Sequence, residues 1–425
     1  MGKKEEEKRL QPIGYWQLLK GNRNFRLIWT GEVISHLGDW FNLVAVMGLL
    51  LKLTGSAQAA GWIIIIRSLP YFFMSPVAGV VADRFNRKTV MILSDIFRAL
   101  VVLSLSLVRE RSDVWIIYTA TTLEILFSTF FTPAKSAAIP MIATKDELIS
   151  ANALSSISWS VMLTLGAALG GAVSALLGHQ TAFILNSISY LVSAGMILQA
   201  HIPRSHWEGK THLQSPFRQF MEGLHYVRDK KDTLAYLLVK TGWGLSGGIL
   251  LLITILGNKV FVFGGSSDAG IGILYTARGL GTALGPLIAR QIGGNSQEGM
   301  RKWIGYSFLL GGIFFVGFGF SHSLWMACLT LVLSHCGTSI LWVFSTTLLQ
   351  LNTRDEIRGR VFASEWALFT FAMSLSNYLT GVGLDRLSIS PQTMIFMMSG
   401  LILLPGVLWI ILNSHWEYWT QKSKP

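Results

Sequence analysis

The sequence GVVADRFNRK, from Gly79 to Lys88, places four charged side chains within six residues, directly after a strongly apolar segment. That segment, residues 61–78, reads GWIIIIRSLPYFFMSPVA, and the chain turns apolar again from residue 90. A short basic turn between two apolar segments is typical of a loop that joins two membrane-crossing helices, because the bilayer core excludes charge. The stretch therefore predicts a chain built from helices that cross a membrane.

The composition of the whole chain agrees with this prediction. Of its 425 residues, 51% are hydrophobic and only 14% are charged, whereas soluble domains carry about 25% charged residues. A helix needs about 20 apolar residues to cross a bilayer. We predict an all-α membrane protein with twelve transmembrane helices in two pseudo-symmetric six-helix bundles. The predicted spans are residues 27–51, 57–81, 89–108, 114–137, 152–177, 180–200, 233–256, 268–289, 303–320, 323–349, 361–384 and 392–413.

The polar stretches divide the chain into five parts. The two bundles are separated by a polar linker whose second part, from Pro216, has apolar residues at helical spacing. That spacing predicts an amphipathic helix on the membrane surface. The predicted parts are an N-terminal tail (1–26), the N-terminal bundle (27–200), the linker (201–232), the C-terminal bundle (233–413) and a C-terminal tail (414–425).

The distribution of Lys and Arg predicts the orientation of the chain. With the N-terminus in the cytoplasm, the cytoplasmic loops and tails carry 25 of these residues and the opposite side carries 5. Basic residues concentrate on the cytoplasmic side of membrane proteins. We therefore predict a multi-pass protein of the cell inner membrane with both termini in the cytoplasm. The net charge of +12 then lies beside lipid headgroups, so membrane lipids are predicted partners and nucleic acid is not.

The two halves contain a repeated segment. TKDELISANA begins at Thr144, between the fourth and fifth spans, and TRDEIRGRVF begins at Thr353, between the tenth and eleventh. The two segments lie 209 residues apart, close to half the chain length. This offset favours a duplicated six-span unit, as in transporters whose site lies between two repeats. The alternative is two independent helix caps, because Thr followed three residues later by Glu suits any helix start.

The opening stretch falls in the predicted loop between spans two and three. There it resembles the signature loop of the major facilitator superfamily, Gly-x-x-x-Asp-Arg-x-x-Arg-Lys. Asn86 takes the place of the family's usual glycine, and Asn tolerates the left-handed conformation of a tight turn. Residues 130–154 and 348–363 resemble the branch that holds macrolide-type drug exporters and the enterobactin exporter. The resemblance implies a major facilitator fold over nearly the whole chain.

The resemblance also implies that this loop is a conformational latch. In a latch, charges pair across the boundary between the halves in one conformation and separate in the other. The alternative interpretation is a basic anchor made by Arg84 and Lys88 alone. The residues assigned to the latch are Gly79, Asp83, Arg84, Arg87, Lys88 and Glu365.

Ten ionisable residues lie inside the predicted spans. Each costs about 2.5–3.5 kcal/mol at mid-bilayer, so each is expected to face protein or water. The ten residues are Glu32, Asp39, Arg67, Asp95, Arg98, Glu124, Lys135, Lys240, Arg278 and Glu365.

Six of these ten are candidates for ion coupling or substrate binding. Asp39 and Glu124 lie near the middle of spans that line the cavity in the superfamily, so they are candidates to carry a proton or to bind a cation. Asp95 and Arg98 share a helix face and either neutralise one another or contribute to the site. Two further candidates, Arg67 and Arg278, either bind an anionic substrate or pair with the two central carboxylates.

The predicted function is proton-coupled export of an amphipathic small molecule by a secondary transporter. No Gly-x-x-x-x-Gly-Lys-Ser/Thr loop is present, so the sequence does not predict ATP hydrolysis by that route. We predict a monomer that is not an enzyme and has no catalytic residues, cofactor or metal. A lysophospholipid flippase of the same superfamily is the main alternative, and a non-transporting membrane sensor is a further one.

Overall fold

A computed structural model of the chain describes residues 13–203, 216–228, 230–292 and 296–416. Parts of the predicted tails and of the linker lie outside these ranges. The described residues are mostly helical, which confirms the predicted all-α fold class. The helices are α1 (Tyr15–Gly21), α2 (Arg23–Thr54), α3 (Ala57–Arg84), α4 (Arg87–Ser104), α5 (Val114–Ile142), α6 (Lys145–Leu177), α7 (His179–Gln199), α8 (Pro216–Arg228), α9 (Lys231–Gly244), α10 (Ile249–Lys259), α11 (Ser267–Ile292), α12 (Gln297–Gly319), α13 (Leu324–Leu351), α14 (Asp355–Asp385) and α15 (Pro391–Ser414).

Eleven helical segments in the described part of the chain are long and apolar enough to cross a membrane. Two of the predicted spans are not single helices. Span three continues from α4 into a short 3₁₀ turn, Leu105–Leu107, and span seven consists of α9 and α10 together. Helix α3 is not one of these eleven segments, but it has 28 residues and lies at the place of the second predicted span.

The helices are joined by tight turns whose polar side chains cap the next helix. Asn22 accepts a hydrogen bond from the backbone N–H of Phe25 at 2.9 Å, and Ser56 accepts one from Ala59 at 3.0 Å. These oxygens satisfy N–H groups that have no partner inside the helix. Consecutive long helices joined by such short turns run antiparallel. We call the end of the bundle that contains Asn22 and Asn86 the motif end, and the opposite end, with Ser56 and Asp385, the far end.

Asn86 acts differently from the sequence expectation. Its φ of −60° is not left-handed. Its side-chain oxygen instead accepts a hydrogen bond from the backbone N–H of Lys88 at 3.0 Å, and a longer one from Thr89 at 3.4 Å. The turn between α3 and α4 therefore needs a cap at this position, and Asn supplies it.

The two repeated segments both lie at the start of a long helix, α6 and α14. Thr144 forms a capping box with Glu147 at the start of α6. The Thr353 hydroxyl donates to the carbonyl of Leu349, 2.6 Å away, in the helix that precedes α14. The duplication of a six-span unit stays a prediction, beside the alternative of two independent helix caps.

The two bundles meet along two pairs of helices, α6 with α11 and α3 with α14. Close approach depends on glycine: a Cβ atom on Gly171 would lie 2.9 Å from the Cα atom of Gly272, and one on Gly381 would lie 2.8 Å from the Cα atom of Gln58. Small residues allow helix backbones to pack this closely in membranes. Both contacts lie in the far-end half of the bundle, so the far end is shut in this structure.

Helix α8, in the predicted linker, packs on α14. A Cβ atom on Gly223 would lie 2.4 Å from the carbonyl oxygen of Arg360. Glu222 Oε2 lies 2.8 Å from Arg360 Nη1, so a salt bridge accompanies the packing. The predicted position of this helix on the membrane surface stays a prediction.

Residues Gly244–Gly248, between α9 and α10, read GLSGG and match the Gly-x-Ser-x-Gly pattern of many serine hydrolases. That pattern is functional on a strand-to-helix turn, and here it interrupts a helical span. Ser246 is buried, and its hydroxyl donates to the carbonyl of Trp243, 2.7 Å away. The match therefore reflects a helix break and not a nucleophile.

We expect Gly272→Val to hold the far end open. The added side chain would meet the carbonyl oxygen of Ala167, 2.8 Å from the new Cβ atom, and would push α11 away from α6. Spin labels on the exposed residues Leu177 and Phe263 should report a longer distance than in the native chain. Gly400→Val is the matched control, because a Cβ atom there would meet nothing within 4 Å. An unchanged distance in Gly272→Val would contradict the role of this contact.

Candidate functional site

Five of the six predicted coupling and substrate residues come together inside the first bundle. Asp39 on α2, Arg67 on α3, Asp95 and Arg98 on α4 and Glu124 on α5 belong to one connected set of ion pairs and hydrogen bonds. The sixth candidate, Arg278 on α11, lies in the second bundle and has no recorded ion pair with these residues. We call the connected set the charge network.

Arg98 is at the centre of the charge network. Its Nη2 atom lies 3.1 Å from Asp39 Oδ1, and its Nη1 atom lies 3.4 Å from Asp95 Oδ1. Nη2 also donates to the hydroxyl oxygen of Tyr190 at 2.8 Å, and the guanidinium carbon lies 4.0 Å from the centre of the Tyr190 ring. One guanidinium therefore pairs with two carboxylates and joins α2, α4 and α7.

Glu124 is almost fully enclosed, with 1% of its surface exposed. Its Oε1 atom accepts a hydrogen bond from the Tyr190 hydroxyl at 3.0 Å, and its Oε2 atom accepts one from Asn42 Nδ2 at 3.0 Å. Arg67 Nη1 lies 3.8 Å from Oε2. The predicted pairing of Arg67 with a central carboxylate thus appears in the structure as a pair with Glu124.

The Tyr190 hydroxyl is placed to donate to two carboxylates, Asp39 and Glu124. A tyrosine hydroxyl has one proton to donate, and here the oxygen also accepts a hydrogen bond from Arg98. Only one of the two carboxylates can receive the hydroxyl proton at a time. Sequence reasoning missed Tyr190, because tyrosine is a common residue in membrane spans.

The charge network extends from Asp39 toward the motif end through His36. His36 Nδ1 lies 3.4 Å from Asp39 Oδ2, and His36 Nε2 lies 3.4 Å from Glu32 Oε1. Glu32 in turn pairs with Lys135 on α5. His36 keeps 33% of its side chain exposed, so the network includes an accessible imidazole between two carboxylates.

The charge network contains more carboxylates than permanent cations. Mid-span in the described part of the first bundle, the carboxylates are Glu32, Asp39, Asp95 and Glu124, and the permanent cations are Arg67, Arg98 and Lys135. The fourth negative charge is balanced either by protonated His36 or by a proton on one carboxylate. The same described residues contain no group of three or more His, Cys, Asp or Glu side chains arranged to hold a metal ion.

Glu365 lies inside the second bundle, where it pairs with Lys240 on α9 at 2.9 Å. Both residues are buried, with 1% and 3% of their surface exposed. The Lys240 ammonium lies 4.4 Å from the centre of the Trp342 ring, close enough for a cation–π interaction. No contact between Glu365 and the signature loop is recorded among the described residues, so its part in the latch stays a prediction.

The signature loop is described only in part. The side chains of Gly79, Asp83 and Arg84 lie outside the description. Arg87 donates to the carbonyl of Ala137 on α5 at 3.0 Å, and Lys88 contributes its backbone N–H to the Asn86 cap. These contacts stay within the first bundle, and the latch remains a prediction.

Two polar contacts join the bundles at the far end. His179 Nε2, at the start of α7, lies 2.8 Å from Asp268 Oδ2 at the start of α11. Asp385, at the end of α14, accepts hydrogen bonds from the Ser56 hydroxyl at 2.5 Å and from the backbone N–H groups of Ala57 and Gln58 at 3.0 and 2.8 Å. We call these contacts the far-end clasp; sequence reasoning did not single out its residues.

We expect Lys240→Met to lower the free energy of unfolding by about 3–5 kcal/mol, because it leaves Glu365 buried without a counter-charge. The double variant Lys240→Met, Glu365→Leu should recover most of that loss, and unfolding in mixed micelles measures both. Arg218→Ala is the control, because that cation is 69% exposed in its pair with Glu222 and such pairs contribute about 1 kcal/mol or less. Equal losses in Lys240→Met and Arg218→Ala would contradict the importance of the buried pair.

Residues 16–422 match the model of a family described as transmembrane secretion effector. The chain is 25% identical to the putative bacilysin exporter of Bacillus subtilis, over 86% of this chain and 89% of that one. It is 22% identical to macrolide efflux protein A of Streptococcus pyogenes, over 93% and 96%. It is also 24% identical to the staphyloferrin A transporter of Staphylococcus aureus, over 80% and 84%.

The fold is that of solved transporters. A bacterial homologue of the human lysosomal transporter Spinster, solved in an inward-facing and unoccupied conformation, superposes with a TM-score of 0.66 over 94% of this chain and 96% of that one, at 13% identity. The eleven candidate spans of the described residues fall within the stretch that the family model matches. The protein belongs to the transmembrane secretion effector family of major facilitator superfamily transporters and is a membrane transporter, not an enzyme.

Proposed function

We propose that this transporter exports amphipathic small molecules by alternating access, in exchange for protons. The direction is supported by two relatives, the putative bacilysin exporter and macrolide efflux protein A, which are named as an exporter and an efflux protein. The coupling rests on one observation: a single Tyr190 hydroxyl is shared by two carboxylates, Asp39 and Glu124, within a set that has one carboxylate more than its permanent cations.

A proton on Asp39 or Glu124 completes the hydrogen bonds of this arrangement. When both are ionised, only one of them receives the Tyr190 proton and the other relies on its cation. Protonation of one carboxylate removes that competition and the excess negative charge. The free energy of the network therefore depends on whether a proton is present, which a proton-coupled transporter requires.

Movement of the helices follows from where these groups lie. Asp39, Arg98, Glu124 and Tyr190 belong to α2, α4, α5 and α7. When a proton neutralises Asp39, the attraction between α2 and Arg98 weakens, and α2 contacts the second bundle as well as its own. Protonation at one point is thereby communicated to the boundary between the bundles.

The access route for protons lies along the exposed side chains of the network. His36 and Arg67 keep 33% and 25% of their side chains exposed although both are mid-span. Exposure to lipid would cost each charged group about 2.5–3.5 kcal/mol. These side chains therefore face the water-accessible space between the bundles, where protons and substrate arrive.

The far-end clasp and the signature loop control which end is open. The clasp keeps the far end shut, and it must break when the transporter opens there. Gly79, Asp83, Arg84, Arg87 and Lys88 act at the other end as the latch. By the distribution of basic residues the motif end is cytoplasmic, both termini lie in the cytoplasm, and the protein works as a monomer in the inner membrane.

We expect Asp39→Asn and Glu124→Gln each to abolish accumulation of substrate against its gradient. Each variant removes a titratable carboxyl and keeps the size of the side chain. The measurement is uptake into proteoliposomes under an imposed pH gradient, screening macrolides, siderophores and lysophospholipids. Glu222→Gln, on α8, is the matched control and should transport as the native chain does.

Accumulation by both network variants at the native level would rule out these carboxylates as proton carriers. Movement of lysophospholipids alone, with or without a pH gradient, would instead favour the flippase.

We expect Asp385→Asn to increase opening at the far end severalfold, because a neutral amide binds the N-terminus of α3 less well than a carboxylate. The readout is the rate at which maleimide alkylates Gly61→Cys, at the bundle boundary near Asn377, in a chain with Cys328 and Cys336 replaced by Ser. Asp113→Asn, a far-end cap within the first bundle, is the control. Equal rates in Asp385→Asn and the control would show that this part of the clasp does not hold the far end shut.

A further inference from the structure

Arg278 differs from the other nine ionisable residues of the spans. Each of the nine lies within 3.8 Å of a side chain of opposite charge. Within the described part of the chain, Arg278 has no such partner. Its recorded neighbours are the ring of Tyr275, whose centre lies 5.8 Å from the guanidinium carbon, and His335 on α13. Its Nε atom is buried without a hydrogen-bond partner.

The position of Arg278 on α11 directs it away from lipid. The strongly exposed residues Leu280, Leu284 and Leu287 lie on the opposite side of the helix, at two, six and nine residues from Arg278. A half-buried arginine on the inner side of α11 faces the interior of the transporter.

The interior beside Arg278 is the boundary between the bundles. A Cβ atom on the next residue, Gly279, would lie 2.8 Å from the Cα atom of Thr164 in the first bundle. One turn earlier, the Tyr275 ring lies 6.3 Å from the ring of Trp40 on α2. Arg278 thus stands next to the surface that opens and closes during transport.

An unpaired guanidinium at this depth is costly. Removing one partner of a buried ion pair is strongly destabilising, because the remaining charge is uncompensated. A structural arginine would have a carboxylate beside it, as Arg67 and Arg98 do. A guanidinium left without one is suited to receive an anion from outside the protein, and its planar donors match a carboxylate or phosphate with two parallel hydrogen bonds.

We propose that Arg278 is a specificity-determining residue that binds an anionic group, a carboxylate or a phosphate, on the transported molecule. The aromatic rings of Trp40 and Tyr275 lie beside it to receive the apolar part. The substrate class is therefore an amphipathic small molecule with an acidic group. This inference rests on the proposed transport function, but it concerns binding and needs no proton gradient.

The test measures binding of two probes that differ only in charge. Dansyl-aminoundecanoyl-glycine has an α-carboxyl that is ionised at pH 7, and its glycinamide has the same length without the charge. Energy transfer from the 15 tryptophans of the chain to the dansyl group reports binding to protein in phosphatidylcholine nanodiscs. Empty nanodiscs give the correction for partition into lipid. The native chain should bind the acid about tenfold more tightly than the amide, as expected for a charge-assisted hydrogen bond.

Arg278→Gln should remove the preference for the acid, and Arg278→Lys should retain part of it. Arg360→Gln is the matched control: it removes an arginine that pairs with Glu222 on α8, outside the proposed binding region, and the preference should persist. Size-exclusion profiles identify any variant that does not fold. If Arg278→Gln does not fold, the partial preference expected of Arg278→Lys tests the proposal in its place. Equal affinities of the native chain for the two probes, or a full preference in Arg278→Gln, would overturn the proposal. Transport without pH dependence would overturn the coupling mechanism and leave this binding result intact.

Discussion

The contact of Arg98 with Asp39, Asp95 and Tyr190 is the interaction on which the first bundle depends. These residues come from α2, α4 and α7, and without the guanidinium two carboxylates would lie uncompensated in a low-dielectric interior, at a cost of several kcal/mol each. The same contact restricts where protons can reside. Arg98 pairs with two carboxylates, and it occupies a lone pair of the hydroxyl that Asp39 and Glu124 share. Structural stability and proton chemistry therefore involve the same atoms.

The two bundles differ in the side chains that they bury, although their folds are related. The first contains the charge network. Among the described residues of the second, Lys240 and Glu365 form a buried ion pair beside an aromatic cluster in which the rings of Trp243 and Phe369 stack with centres 5.5 Å apart. Under the proposed exchange for protons, the bundle rich in titratable groups is the one that binds them. A bundle rich in aromatic surface, with one unpaired arginine at its boundary, is better suited to hold an amphipathic molecule.

Hydropathy predicted the spans well, because the thickness of the bilayer sets the length of an apolar segment and polar turns mark its ends. The cost of charge in lipid also identified the ten residues that include the site. Pairing was harder to predict, since it depends on the rotation of each helix about its axis. Asp39 and Tyr190 are 151 residues apart, and Lys240 and Glu365 are 125 apart. Asn86 shows the same limit locally. An asparagine can adopt the left-handed conformation of a tight turn or cap a helix, and the sequence alone did not distinguish the two.

The first two N–H groups of α3 in one bundle have their acceptor, Asp385, in the other. When the bundles separate at that end, these groups and the carboxylate meet water, which can replace each lost hydrogen bond at little cost. A far-end contact built from buried apolar surface would resist separation of the bundles far more strongly. In the proposed alternating-access cycle, a contact that water can replace makes closure of the far end readily reversible, so the balance between open and closed states depends on the groups deeper inside.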